Sequence, residues 1–388
     1  MTTVAMKHPL RRLLVHYGRI AVSIAIVIAI FALIIPKFAD YGSVLNTVGK
    51  LTVLQVIAVL GAMICSMVTC WWQMQAALPG LTLVQAAVTN QTGTTISNIV
   101  PGGGMISLGL VTRIFRSWGF SRSDIGLEIS TSGIWNTFMK LGLPIAALAL
   151  LSMTGRATAS QVIPALVGLL ILIGIVLVFA LALWKKHFAR GVGIALGSCS
   201  SGVRKLFKKP PVTTWGDRAV RFRKDTIRLI QKRWLALTAS TILSHLALFT
   251  VLLMSLRFIG VMPSQVTGAQ VLAVFAFARL LSAAPITPGG VGVVELALIG
   301  GLYAAGRHHA GASLPVFRAQ IAAAVLLFRT LTYGLQIPLG GFTYIIWHRN
   351  KSWRKEPAQI RLAQPHSNVA REEISDPVAA PRAAASGG

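Results

Sequence analysis

Charge is scarce in this sequence. Only 12% of its 388 residues are Asp, Glu, Lys or Arg, about half the usual share of a soluble domain, so there is too little polar surface to cover a water-soluble body. Acidic residues are scarcer still: 10 Asp and Glu stand against 37 Lys and Arg, a formal net charge of +27. There are 3 cysteines (Cys65, Cys70 and Cys199), too few and too scattered for a disulfide framework or a metal site, and no metal or cofactor is expected. The sequence has no Gly-x-Ser-x-Gly, no His-Glu-x-x-His, no phosphate-cradling Gly-rich loop ending in Lys and Ser or Thr, and no paired carboxylates for acid and base work, so an enzyme is not expected. No aromatic-interleaved groove or zinc spacing accompanies the positive charge, which argues against nucleic acid as a partner.

What is abundant is apolar length. Hydrophobic residues make up 54% of the chain and the mean hydropathy is +0.68. With about 20 residues needed to cross a bilayer, spans read at 20–38, 51–72, 128–151, 161–184, 235–259 and 317–347. Regions 83–118 and 266–304 are apolar too, but each is broken near its middle, the first by Pro101-Gly102-Gly103-Gly104 and the second by Pro285-Ile286-Thr287-Pro288-Gly289-Gly290, with Gly292 just beyond. Proline lacks an amide donor and clashes with the preceding turn, and glycine opens backbone angles closed to other residues, so a helix stops at such a cluster. Each region therefore reads as two half-helices meeting at a bend. The fold class expected is an all-α polytopic membrane protein with six spanning helices plus two broken or re-entrant helix pairs.

Charge orients the chain. Fourteen Lys and Arg fall between Lys185 and Arg233, and seven follow His348. If both broken regions dip into the membrane and return, every strongly basic loop lands on one face, the cytoplasmic one, with both termini. The basic start followed by an apolar run to Ile35 lacks a small-residue cleavage site and reads as an uncleaved first helix. The expected parts are a basic cytoplasmic N-terminus (1–19), a first membrane repeat (20–151), a second (161–347) carrying a basic cytoplasmic insertion (185–234), and a disordered cytoplasmic tail (348–388). Within the insertion, Thr214 to Arg233 reads as a basic amphipathic helix able to lie on the inner leaflet. One offset of 187 residues carries Pro101 to Pro288, the second span to the fifth, the first broken region to the second and the third span to the sixth. The halves start from opposite faces, so they read as inverted repeats, the arrangement in which interrupted segments at matching positions point to a transporter's binding site.

Nine of the ten acids lie in loops, in the tail or, for Glu128, at the mouth of the third span; only Glu295 reads as deep. A carboxylate there costs about 2.5 kcal/mol or more unless it is paired or faces water, so it is either a structural ion pair or a substrate or proton site. The cations within spans are Lys140, Arg279 and Arg329. Three buried cations against one anion, with half-helix N-termini after each bend, favour an anionic group such as a phosphate near the midplane. Asn98, before the first bend, and Asn136, one turn from Lys140 on the same face, can coordinate a headgroup or simply bridge helices. His245 is a lone histidine in the fifth span, and Trp71, Trp72, Trp118, Trp184, Trp234 and Trp347 stand at span ends as interfacial anchors.

The stretch Ala284-Pro285-Ile286-Thr287-Pro288-Gly289-Gly290-Val291-Gly292-Val293-Val294-Glu295, followed by Arg329-Thr330-Leu331-Thr332-Tyr333 and Pro338-Leu339-Gly340, resembles the signature of the lysylphosphatidylglycerol synthase transmembrane region, the flippase-like integral membrane proteins of bacteria. Pro101-Gly102-Gly103-Gly104, Arg113 and Trp118-Gly119-Phe120-Ser121 are similar to a first-half motif of a Gly-rich subgroup. The resemblance implies movement of a lipid between leaflets of the plasma membrane, with membrane lipids, expected to be anionic, as partners. Bifunctional members carry a soluble synthase domain after the membrane part; only a short tail follows here, so synthase activity is not expected. Many members have a Gly-Glu pair where this chain has Ser107 and Leu108, which speaks against a symmetric two-carboxylate mechanism. The alternatives in the residues themselves are a proton-coupled carrier of a small soluble anion, with Glu295 titrating, and a non-transporting scaffold acting through the basic loop.

Overall fold

The computed structural model describes residues 49–100, 103–153, 159–185, 215–282, 287–310 and 314–350, with a few isolated positions besides (46, 187, 188, 190, 191, 194, 197, 198 and 353). Of the residues described, 88% are helical and none lies in a strand. The ten helices named here are α1 (Val53–Ala77), α2 (Leu83–Ile99), α3 (Gly103–Ser117), α4 (Arg122–Met153), α5 (Ala159–Trp184), α6 (Trp215–Phe258), α7 (Gly268–Leu281), α8 (Val293–Gly306), α9 (Leu314–Arg329) and α10 (Gln336–Arg349). Four stretches are long and apolar enough to cross a membrane: α1, α4, most of α6, and α9 continued into α10. They coincide with the expected spans at 51–72, 128–151, 235–259 and 317–347. The expected span 161–184 is the helix α5, of which Leu169–Leu181 is a shorter apolar stretch. The expected first span 20–38, the N-terminus, positions 199–214 of the insertion and the tail from 354 onward lie outside the described residues, as do Pro101, Gly102 and Pro285.

One expectation is corrected. The amphipathic helix expected over Thr214 to Arg233 is, from Trp215 on, not a separate one: α6 runs without interruption from Trp215 to Phe258, 44 residues. Beyond Gly216 this segment holds neither proline nor glycine, and its Arg, Lys, Gln, Leu and Ala residues are good helix formers, so the amphipathic stretch continues into the apolar one.

Both broken regions fold back on themselves. In the first, the Ser107 hydroxyl of α3 donates to the Gly93 carbonyl of α2 at 2.8 Å, and Val111 lies against Gly93. In the second, Gln270 of α7 donates to the Ala305 carbonyl of α8 at 3.4 Å, and Val274 lies against Gly301. The first limb of each hairpin opens with a Thr-x-x-Gln capping box, Thr82 with Gln85 in α2 and Thr267 with Gln270 in α7, which satisfies amides that lipid or protein would leave bare.

The hairpins open toward opposite ends of the bundle. The first opens where Leu78, Phe115, Trp118, Ile125 and Trp347 cluster and Trp347 donates to Ser117 at 3.0 Å. Basic residues gather at this end: Arg233 donates to the Gln75 carbonyl and Arg223 to the Trp184 carbonyl. The second hairpin opens at the other end, where Gly306 packs on Val266 and Phe317. The tips meet between, with Asn98 of the first beside Gly289 of the second. Gly289 has φ +59, and a Cβ there would collide with the Tyr333 ring, so only glycine serves at this turn.

The wall around the tips is built on small and hydroxyl residues. α1 packs antiparallel to α6, with Val59 and Met63 near Leu252 and Leu256 in the main core and Ala76 and Ala77 near Leu229 and Leu237. Buried hydroxyls on these helices bond to their own backbone one turn back, as in Thr69 to Cys65, Ser240 to Ala236, Thr241 to Leu237 and Ser255 to Val251. These hydroxyls are thereby satisfied within their own helices, and the backbones can approach closely. α2 packs antiparallel on α10 in the same way: Thr95 donates to the Gln336 carbonyl at 2.8 Å and Thr92 meets Thr343 at 3.1 Å.

Candidate functional site

Where the tips meet there is a cavity of about 430 Å³, within the range that accommodates small ligands. Polar side chains from several elements line it: Ser66 and Cys70 from α1, Asn90 and Asn98 from α2, Asn136 and Lys140 from α4, Ser244 and His245 from α6, Arg279 from α7, and Arg329 and Tyr333 beside the α9–α10 junction. Five of the six substrate-contacting residues expected from sequence (Asn98, Asn136, Lys140, Arg279 and Arg329) therefore line one space.

The sixth, Glu295, stands behind that wall. It is 2% exposed, and both carboxylate oxygens are engaged: one accepts from the Gly292 amide at 2.7 Å, capping the N-terminus of α8, and the other accepts from Arg329 Nε at 2.7 Å. Arg329 also donates to the Gly289 carbonyl at 3.3 Å and lies over the Tyr333 ring at 4.8 Å. The Tyr333 hydroxyl in turn donates to the Asn98 carbonyl at 2.8 Å. Glu295, Arg329, Tyr333 and Asn98 thus form a latch joining the second hairpin tip to the first. Its pivot is a π-helical turn, Thr330–Gly334, a wider coil of the kind often found at functional sites. The sequence motif contains Glu295, Arg329 and Tyr333, though not Asn98, and gives no sign of the wide turn.

Lys140 and Arg279 are different. Among the described residues neither side chain has a hydrogen-bond or carboxylate partner, and Arg279 Nε is buried without one. Two cations facing one low-dielectric space repel each other and favour an anion between them. Several of the other polar residues are spent locally. His245 contacts the Thr241 carbonyl of its own helix through Nδ1 at 3.0 Å, so that nitrogen carries the proton. Asn136 uses its amide on the Ser132 carbonyl at 2.8 Å and on Gln73 at 3.4 Å, which leaves its oxygen for the cavity.

Glu128, read at the mouth of the third span, lies near the start of α4 and is buried there, 4% exposed, with Ser132 donating to it at 3.2 Å. The signal in the sequence is the four-residue spacing Glu128, Ser132, Asn136, Lys140, which sets all four on one face of α4. Among the described residues no group of three metal-ligating side chains occurs.

No curated protein matches the chain. A family model does, over residues 20–340, the stretch that contains both hairpins, the latch and the cavity between them: the chain belongs to the family described as lysylphosphatidylglycerol synthase TM region.

Proposed function

We propose that this protein is a flippase-like transporter that moves an anionic, phosphate-bearing lipid headgroup between the leaflets of the plasma membrane, with the cavity at the hairpin tips as the headgroup site. The observation that carries this is the pair Lys140 and Arg279, two cations on different helices facing one cavity with no carboxylate among the described residues to neutralise them. A charge near the bilayer centre costs about 2.5 kcal/mol or more, and leaving two uncompensated makes sense where a ligand supplies the counter-charge. Arg329, partly neutralised by Glu295, adds a third positive edge. The protein contributes binding and passage, not bond-making chemistry.

In this reading the chain has six spanning helices and two re-entrant hairpins, arranged as two inverted repeats with both termini cytoplasmic. Support comes from the matching Thr-x-x-Gln caps at the start of each hairpin, from hairpins that open toward opposite ends, and from the gathering of basic residues at one end. Rocking of the halves about the tips exposes the cavity to each leaflet in turn, and the latch through Glu295 and Arg329 is the contact that such rocking must remake.

The test is reconstitution into vesicles carrying fluorescent phosphatidylglycerol or phosphatidylcholine in the inner leaflet, with arrival in the outer leaflet read by a membrane-impermeant quencher. Transfer of the anionic lipid above the rate of empty vesicles is expected, falling at least tenfold in Lys140→Met and Arg279→Gln. Equal rates for the two variants and wild type refute the assignment of this cavity. Export of entrapped phosphate with no lipid transfer favours a carrier of a soluble anion instead.

A further inference from the structure

A second cavity, of about 400 Å³, adjoins the central one: Asn90, Thr94 and Asn136 line both. It runs along α4 from Asn136 toward the basic end and is bounded by Gln73, Thr89, Ser107, Glu128 and Ser132. Its chemistry is the reverse of its neighbour's. Thr89 donates its hydroxyl hydrogen to the Gln85 carbonyl, Ser107 to the Gly93 carbonyl and Ser132 to Glu128. Each of these hydroxyls has one hydrogen to give, so what these three leave for the cavity is lone pairs; the buried donor on the same wall is Gln73 Nε2, whose amide oxygen is taken by Asn136. Asn136 has its amide engaged and presents its oxygen. Glu128 is 96% buried by its exposure of 4%, and its second oxygen, Oε2, accepts no bond among the described residues and is not sealed away from the space that the residue lines. Among the described residues no Lys, Arg or His lines this cavity.

A buried carboxylate oxygen is uncompensated unless it takes up a proton or something positive occupies the space beside it. We infer that the vestibule beside Glu128 binds a monovalent cationic group, either a free alkali-metal ion or the ammonium group of a carried molecule. Glu128 supplies the charge, and Asn136 and the hydroxyls of Thr89, Ser107 and Ser132 supply neutral oxygens. Oxygen-only ligation of this kind suits hard cations and ammonium alike. Glu128 and Lys140 are twelve residues apart on one helix face, about 18 Å along α4, so the cation site and the anion cavity are separate places on one polar track. The inference needs no lipid to move, and its test stands apart from that of the transport reading.

The purified full-length protein in neutral detergent is titrated at constant ionic strength, replacing N-methylglucamine chloride with sodium, potassium or ethanolammonium chloride, and thermal unfolding is followed by tryptophan emission. A saturable rise in Tm is expected with at least one small cation in wild type, with an at least tenfold weaker midpoint in Glu128→Gln. A response to sodium or potassium identifies a free ion, and a response to ethanolammonium alone identifies an ammonium group. No saturable response, or the same response in Glu128→Gln, overturns the inference. Should Glu128→Gln fail to fold, wild-type protein is labelled with a hydrophobic carbodiimide and mapped by mass spectrometry: the effective cation should protect Glu128 severalfold, and unchanged labelling overturns the inference equally.

Discussion

Replacing Lys140 or Arg279 should make the protein more stable while it loses its ligand. In the transport reading each is a cation inside the bilayer, with no carboxylate partner among the described residues, and the two repel across one cavity. Insertion scales put such a charge at about 2.5–3.5 kcal/mol. Water in a cavity of about 430 Å³ recovers part of that, so Lys140→Met is expected to gain about 1 kcal/mol, the long apolar stem being retained. For a chain of this size that corresponds to a rise of about 2 °C in Tm. Arg279→Gln should behave alike, and the double variant should gain less than the sum, because the repulsion can be removed only once. Melting of the purified protein, with and without a short-chain phosphatidylglycerol, gives both readings: the variants begin higher and do not respond to lipid, whereas wild type begins lower and rises with it. A Lys140→Met protein that melts below wild type in the absence of lipid refutes the reasoning, since it means that the lysine already has a stabilising partner.

The latch makes the opposite forecast. Glu295→Ala removes a buried carboxylate from Arg329 and the cap from α8 and should cost about 3 kcal/mol. In a double-mutant cycle with Arg329→Met the coupling should exceed about 1 kcal/mol, and additivity would mean that the pair holds nothing together. Tyr333→Phe deletes only the hydroxyl bridging to the Asn98 carbonyl; a loss of about 1 kcal/mol in denaturant melts is expected, with faster cross-leaflet transfer if opening of the tips limits the rate. Gly340→Ala drives a methyl into Thr95 and the Gln91 carbonyl and should cost about 2 kcal/mol by overpacking, detectable as loss of folded protein on size exclusion, whereas Gly341→Ala, with open space at that position, should be silent.

Much of the fold is legible in the sequence because a bilayer imposes a length and a polarity on anything that crosses it. The spans around α1, α4, α6 and α10, and the stops at both Pro-Gly clusters, follow from run length and from two residue types. The partnership of Glu295 with a cation follows from the cost of burying it. Other features depend on information that single residues do not carry. The 44-residue continuity of α6 is decided by what is missing between its basic and apolar parts, and a boundary drawn by hydropathy falls in the middle of it. The π-helical turn at Thr330–Gly334 arises from packing between the two tips, which no local propensity encodes. Glu128 reads as a rim residue because Arg122, Ser123 and Asp124 precede it, yet the closing of α1, α2 and α3 around it sets its burial.

The uninterrupted α6 has a mechanical consequence. At 1.5 Å per residue a helix of 44 residues is about 66 Å long, roughly twice the thickness of the hydrocarbon layer, and it carries Ser244 and His245 in the cavity wall and Arg221, Arg223 and Lys224 near its outer end. A stiff rod of that length is a lever: a tilt of about 5° about one end swings the other by about 6 Å. Anything that grips the basic arm, a charged bilayer surface included, is thereby geared to the wall of the cavity.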